Sequence, residues 1–347
     1  MSARHLNARI QQYKSEHPRA RLVDIARALG VSEREAVAAQ VDDGLAVALR
    51  PDWEAILARV ATLGPCMALT RNKYVVSECR GLYGNPKVQG SVGLVHEGNI
   101  DLRLFLSQWH SAFALRVPNP RGELKSLQFF DARGQAVHKI FLEGEDGEAA
   151  IAALIADFGQ DKEALPELES APHATQEPRW RQLTPSELED FRSDWRKLQD
   201  THEFHGLLKR HRVERIQALE LAEPKFVREL SPKSLEEILT RARDRGMPLM
   251  AFVGNCGCIQ IYSGLVQNLK RLGDWYNVLD PIFNLHVDER GLARAFLVKK
   301  PTRYGEVASL EFFSPEHELI LSLFGLREDD QKASAEWSEL LESIDAL

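Results

Sequence analysis

The sequence predicts an α+β fold built by internal duplication, with two similar halves that are each a mostly antiparallel β-sheet with flanking helices. Three observations lead there. A chain of 347 residues exceeds what one ordinary core organises, so about two domains are expected. Sliding the chain against itself by 183 residues lays 65–130 onto 248–313 without a gap. Within both copies, short runs alternate apolar with polar residues and are punctuated by Pro and Gly, which is the strand pattern.

The duplication rests on specific residues. Pro65, Met67, Ala68 and Asn72 fall on Pro248, Met250, Ala251 and Asn255, and Gly81-Leu82 falls on Gly264-Leu265. Ala112-Phe113 meets Ala295-Phe296, Gly122-Glu123 meets Gly305-Glu306, and Ser126-Leu127-x-Phe129-Phe130 meets Ser309-Leu310-x-Phe312-Phe313. In all, 20 of 66 aligned positions are identical, against about one in fifteen to twenty expected from ordinary composition. The period is far too long for a solenoid unit, so each copy is expected to be a layer with its own core.

Along the chain, helical runs near 51–62 and 232–245 lead into strand-like segments at Met67–Cys79 and Met250–Tyr262. Further strands fit Ile100–Leu106, Ala112–Val117 and Ser126–Asp131, with counterparts in 283–288, 293–299 and 309–314. Strands with few helices between them favour an antiparallel sheet backed by helices. Asp161–Arg179 carries three prolines among Glu, Ser and Thr and reads as an exposed linker. The expected division is therefore 1–160, a linker over 161–179, and 180–347.

The formal charge of -7, with 44% hydrophobic and 27% charged residues, is that of a globular protein and argues against coating nucleic acid or an anionic membrane. Neither a signal-peptide core nor about 18 consecutive apolar residues is seen, so a cytoplasmic protein without membrane insertion is expected. Four cysteines make no disulfide framework; Cys256 and Cys258 would share one strand face as buried packing. Gly254-Asn-Cys-Gly257 lacks the spacing of a dinucleotide fingerprint, so any reductant would come from elsewhere.

Leu22–Glu35 has the look of a helix-turn-helix, with Gly30 at the turn and Ser32-x-x-Glu35 as a capping box. Were the second helix to read DNA, Glu33 and Glu35 would sit near the phosphates, an unfavourable placement. A related helical pair, Pro185–Gln199 and Thr201–Leu221, precedes the second copy; Val31–Val37 and Val213–Leu219 align at an offset of 182. A structural hairpin belonging to the repeat is the favoured reading, and nucleic-acid binding through it the lesser one.

The chemistry-bearing stretch is Asp200-Thr201-His202-Glu203-Phe204-His205, followed by Leu207-Leu208-Lys209-Arg210. Asp200 or Thr201 can cap a helix, with Glu203 completing the box, which puts His202 in the first turn. The positive dipole end there disfavours imidazolium, and a neutral ring with a free lone pair is what iron ligation requires. His205, one turn further on, is the alternative ligand.

The order Asp-x-His-x-Phe, Leu-Leu-Lys-Arg and then Arg215-Ile-Gln-Ala resembles the HemS/HmuS family of bacterial haemin-trafficking and haemin-degrading proteins. Gly254–Gly264, Leu272–Asp280, Phe283–His286, Lys299–Thr302 and Ile100–Phe105 carry the same resemblance, which extends over nearly the whole chain. It implies His202 as the axial iron ligand, Arg103 as the distal residue, Phe105 on the same strand face, Arg215 at a haem propionate, and Lys299 as a further cation. Two carboxylates need cationic partners, and Arg offers a bidentate fork. Arg103 aligns with His286 and Arg116 with Lys299, so the copies differ at the first position and share a cation at the second. Phe204-His205 departs from the commonest family pattern and resembles histidine-rich variants that look more like carriers. The resemblance thus implies a cytoplasmic haem carrier, monomer or dimer, that takes haem from an inner-membrane importer and passes it to a haem oxygenase. Its alternative is a haem-degrading enzyme using an external electron donor, and a haem-responsive DNA-binding regulator ranks third.

Overall fold

The computed structural model describes residues 3–119, 122–144, 146–169, 180–326 and 335–344. The chain divides into two compact units. One holds Met1–Arg71, Ser77–Pro172 and Gly254–Gln260; the other holds Asn72–Val76, His173–Val253 and Ile261–Leu347. The units therefore do not follow the linear repeat everywhere, since 72–76 and 254–260 are each counted with the opposite copy.

In the first unit, six antiparallel strands run in the order Gly159–Gln160, Ala46–Leu49, Ser111–Asn119, Gly122–Phe130, Ala136–Leu142 and Pro65–Arg71. The second unit repeats five of these as Val227–Leu230, Arg294–Thr302, Gly305–Phe313, Leu319–Gly325 and Leu249–Gly254. Even an irregularity is shared, because the register shifts between Phe129 and Phe130 and again between Phe312 and Phe313. Each unit adds a three-stranded antiparallel set: Lys87–Gln89, Val92–Glu97 and Ile100–Phe105 in the first, and Leu269–Leu272, Trp275–Leu279 and Phe283–Asp288 in the second. An α+β fold with duplicated antiparallel sheets is what the sequence predicts.

One face of each sheet is closed by the predicted helices. Val37 packs with Ala46, Ala48, Phe113, Leu115 and Phe130 in the first unit. In the second, Phe191, Trp195, Phe204, Ile216 and Leu219 pack on Phe296, Val298 and Phe313. Burying a large apolar side chain contributes roughly 1.5–3 kcal/mol, so these helices are held mainly by their inner faces. Trp337, on the helix Ala335–Glu342, closes part of the second sheet and donates its indole N–H to Ala308 O.

The helical hairpin before the first sheet is Leu22–Leu29 and Glu33–Ala38, joined through Gly30 at φ +69°. Ser32 and Glu35 form the expected capping box. The second helix has only six residues, and Glu33, Arg34, Ala36 and Val37 are buried, so it cannot lie in a DNA groove without unpacking. The counterpart at 201–221, read as one helix, is two: Glu203–His211 and Arg215–Leu221, broken at Arg212 with φ +52°. Arg212 stands where the offset of 182 places Gly30. Both copies thus use a left-handed residue to end the first helix.

Met67–Cys79 and Met250–Tyr262 each resolve into two strands rather than one segment: Pro65–Arg71 with Val75–Leu82, and Leu249–Gly254 with Cys258–Gly264. Asn72 and Asn255 make the turns by accepting backbone N–H groups two and three residues on. This overturns the shared face for the two cysteines. Cys256 is exposed in the turn, whereas Cys258 is buried in the strand, and burial pushes their thiols up to about 11 and about 12. Of the expected linker, 161–169 lies in the first unit, where Arg34 donates to Pro166 O; 170–179 lies outside the described residues. Among the described residues, no helix is long and apolar enough to cross a membrane.

Candidate functional site

In the second unit, His202 is itself the N-cap of the helix Glu203–His211, so the helix begins one or two residues later than a cap at Thr201 or Asp200 would have it. The cap also differs from the predicted box. Glu203 turns its carboxylate back to the Gln199 N–H at 2.9 Å, while one oxygen of Asp200 accepts both the His202 backbone N–H at 2.8 Å and ring Nδ1 at 2.6 Å. The electrostatics at the ring are therefore set first by a carboxylate rather than by helix N–H groups. The imidazole is 87% exposed. His205 is also exposed, and no carboxylate bonds its ring among the described residues.

Phe204 anchors this helix inward. It is buried, edge-on to Trp195, and lies beneath two cations: Arg215 Cζ is 5.2 Å and Lys300 Nζ 4.6 Å from the ring centroid. Arg215 donates Nε and Nη2 to Glu311 at 2.8 and 2.7 Å, and Lys300 donates to the same carboxylate at 2.8 Å. Burial alone would raise the Glu311 carboxyl, but the two cations outweigh it and hold the group well below the usual range. Burial likewise pushes Lys300 down, against the pull of Glu311. The cluster has one more cation than anion, and Arg215, 31% exposed, is its solvent-facing end.

Lys299 is not part of this group. Neighbouring strand residues point to opposite faces, and Lys299 ion-pairs with Glu342, with Glu306 at 3.7 Å. The cation beside Arg215 is Lys300, which sequence reading passed over. The Lys299-Lys300 doublet was the available signal, but choosing between its members needs the strand's parity. Arg116, aligned with Lys299, likewise pairs with an acid, Glu148.

In the first unit, Arg103 and Phe105 share the half-exposed face of the strand Ile100–Phe105, while Ile100, Leu102 and Leu104 are buried. Opposite them on Val92–Glu97 stand Leu94 and Val92, giving an apolar face with a cation upon it. Arg103 ion-pairs with Asp101, whose other oxygen lies 3.1 Å from His96 Nδ1. His286, aligned with Arg103, is half-buried, with Nδ1 2.7 Å from Asn277 Oδ1. His202 and Arg215 thus lie in the second unit, and Arg103 and Phe105 in the first.

These features define a duplicated α+β protein whose copies have diverged, one presenting a carboxylate-held imidazole and the other an arginine-bearing strand face. The family model described as the haemin-degrading HemS.ChuX domain matches it twice, over residues 30–158 and 212–344. The chain belongs to this family. It is 36% identical over 335 residues to the hemin transport protein HmuS of Yersinia pestis, covering 95% of both. The structure resembles holo-PhuS, a heme-binding protein from Pseudomonas aeruginosa, with a TM-score of 0.92 at 41% identity over 100% of each chain. It also resembles the heme degrading enzyme ChuS of Escherichia coli, with a TM-score of 0.90 at 33% identity over 99% of each.

Proposed function

We propose that the chain binds haem as cargo in the cytoplasm, with Nε2 of His202 as the axial ligand. The carrying observation is the His202–Asp200 pair. A carboxylate can only accept, so Nδ1 carries a hydrogen, and in the neutral ring Nε2 is the nitrogen with the free lone pair. Among the described residues, no group of three or more His, Cys, Asp and Glu could hold a bare metal ion. Haem brings four nitrogens of its own and needs only one such imidazole, so this donor set suits it.

Arg215 suits a propionate: Glu311 occupies its Nε and Nη2, Nη1 remains for a second acid group, and Lys300 keeps the cluster cationic. The family resemblance also assigns Arg103 and Phe105 to haem, Arg103 as the distal residue; within the first unit they share a strand face with Leu94 and Val92, which offers apolar surface. His205 is a secondary ligand, and Lys299, paired with Glu342 on the other strand face, would reach haem only outside the Arg215 cluster. In this reading the protein receives haem from an inner-membrane importer and hands it to a haem oxygenase.

The second reading, that the chain itself opens the porphyrin, is favoured by its similarity to the degrading enzyme ChuS. Mixing the haemin complex with a reductant in air, with catalase present, separates the two. A Soret band that persists and then moves to an added haem oxygenase supports the carrier. Conversion to an open tetrapyrrole despite catalase overturns it in favour of the enzyme.

A further inference from the structure

We infer that Asp200 is a positioning residue for His202, setting both the ring's tautomer and its donor strength toward iron; this rests on the haem reading above. One oxygen of Asp200 receives two donors of the same residue, the backbone N–H at 2.8 Å and ring Nδ1 at 2.6 Å. That double hold fixes the side-chain rotamer and commits the hydrogen to Nδ1, so Nε2 is the nitrogen presented outward.

The loop that carries the pair is itself pinned. Gln199 O accepts the Arg303 N–H at 3.0 Å, and Gln199 N donates to Glu203 at 2.9 Å. Two residues after His202, Phe204 is buried under Arg215 and Lys300. The carboxylate and imidazole are thus delivered from a short segment held at both ends. His205, on the same helix, has no such acceptor among the described residues, which gives a physical reason for preferring His202.

A purely structural role makes a different prediction. As a cap for the His202 N–H, asparagine serves about as well as aspartate. Only the charge distinguishes them at Nδ1, where a charge-assisted hydrogen bond is roughly twice as strong as a neutral one. A carboxylate on Nδ1–H gives the ring imidazolate character, which stabilises ferric over ferrous iron. Outer partners of this kind are typically worth roughly 10–100-fold in metal affinity.

The test compares wild type with Asp200→Asn and Asp200→Ala. In the haem-free protein, long-range proton–nitrogen NMR of the His202 ring reads the tautomer directly. The Nδ1–H form is expected in wild type, with loss of that preference in Asp200→Ala. A neutral wild-type ring carrying its hydrogen on Nε2 overturns the inference. In the haemin complex, Asp200→Asn is expected to lose roughly tenfold in preference for ferric over ferrous iron, a rise in midpoint potential of about 59 mV, with unfolding unchanged. Equal potentials in wild type and both variants also overturn it, while leaving haem binding intact. Failure of the wild type to take up haemin removes the haem reading and this inference together, and is recognisable because it does not involve the variants.

Discussion

In the first unit the helix after the left-handed turn places a carboxylate, Glu33, between Arg71 and Lys139; at the aligned place in the second unit stands Arg215, held by Glu311 beside Lys300. Both triads contain two cations and one anion. They differ in which element supplies the anion. Glu33 comes from the helix and its side chain is 2% exposed, so its cluster is closed. In the second unit the anion moves to the sheet, at Glu311, where the first copy has Gln128, and the helix residue becomes a cation 31% exposed. The duplicated scaffold accepted a reversed charge because the partners were reversed with it. An uncompensated buried charge costs several kcal/mol. The reversal leaves the second unit with a cation at its surface, close in sequence to His202, where the first unit has Ala20 at the aligned position.

The largest expected effects come from breaking the triads. Glu311→Ala strands Arg215 and Lys300, and Glu33→Ala strands Arg71 and Lys139. Each is expected to destabilise by about 3–5 kcal/mol in urea unfolding. Their effects on ligand binding should separate: haemin affinity falls in the surviving folded fraction of Glu311→Ala and is unchanged in Glu33→Ala. Equal loss in both would break the distinction between an open and a closed triad.

Acid should act on the first unit through a residue the second lacks. His138 is buried against Thr70 and Tyr83, burial pushes it down to about 3, and its aligned partner is Leu321. An unfolded histidine takes up its proton near pH 6.5 while the folded one does not, so stability falls on acidification by about 1.4 kcal/mol per pH unit between those values. Glu33 and Glu311 are held below the usual carboxylate range, so their contribution is intact above about pH 4.3 and is lost only on further acidification. Unfolding measured between pH 6.5 and 5 therefore separates the histidine from these carboxylates, and the difference between wild type and a His138 variant isolates it. Wild type should lose about 2 kcal/mol over that range, and His138→Gln should show a flatter slope.

The smallest effect sharpens the comparison at the turn. Arg212 adopts the left-handed conformation that Gly30 occupies in the first copy, at a cost of about 1–2 kcal/mol for a non-glycine residue. Arg212→Gly should therefore stabilise slightly, by about 1 kcal/mol or less once glycine's freedom in the unfolded chain is counted. The thermal midpoint of the variant checks the sign.

The repeat was legible because identical residues fall where both sheets need them, in the Ser-Leu-x-Phe-Phe strands and at Gly and Pro turns. Ser32-x-x-Glu35 was legible because a capping box is local. What escaped depends on geometry that sequence does not carry. Lys300 rather than Lys299 meets Arg215 because strand parity decides it, and Asp200 reaches a ring nitrogen through a rotamer that no spacing encodes. The break at Arg212 was hidden because arginine is not a turn residue; extending the Val31–Val213 alignment back by one would have paired it with Gly30. The Cys256 turn was signalled by Asn255-x-Gly257, a pattern obscured by treating the cysteines as a pair.

Titration of the purified protein with haemin, followed by its optical spectrum, tests the role of His202 most directly. Stoichiometric uptake is expected, with the iron-ligand spectrum altered and affinity reduced by about 100-fold in His202→Ala, and with little change in His205→Ala. A His202→Ala protein whose spectrum and affinity match wild type would contradict the central claim.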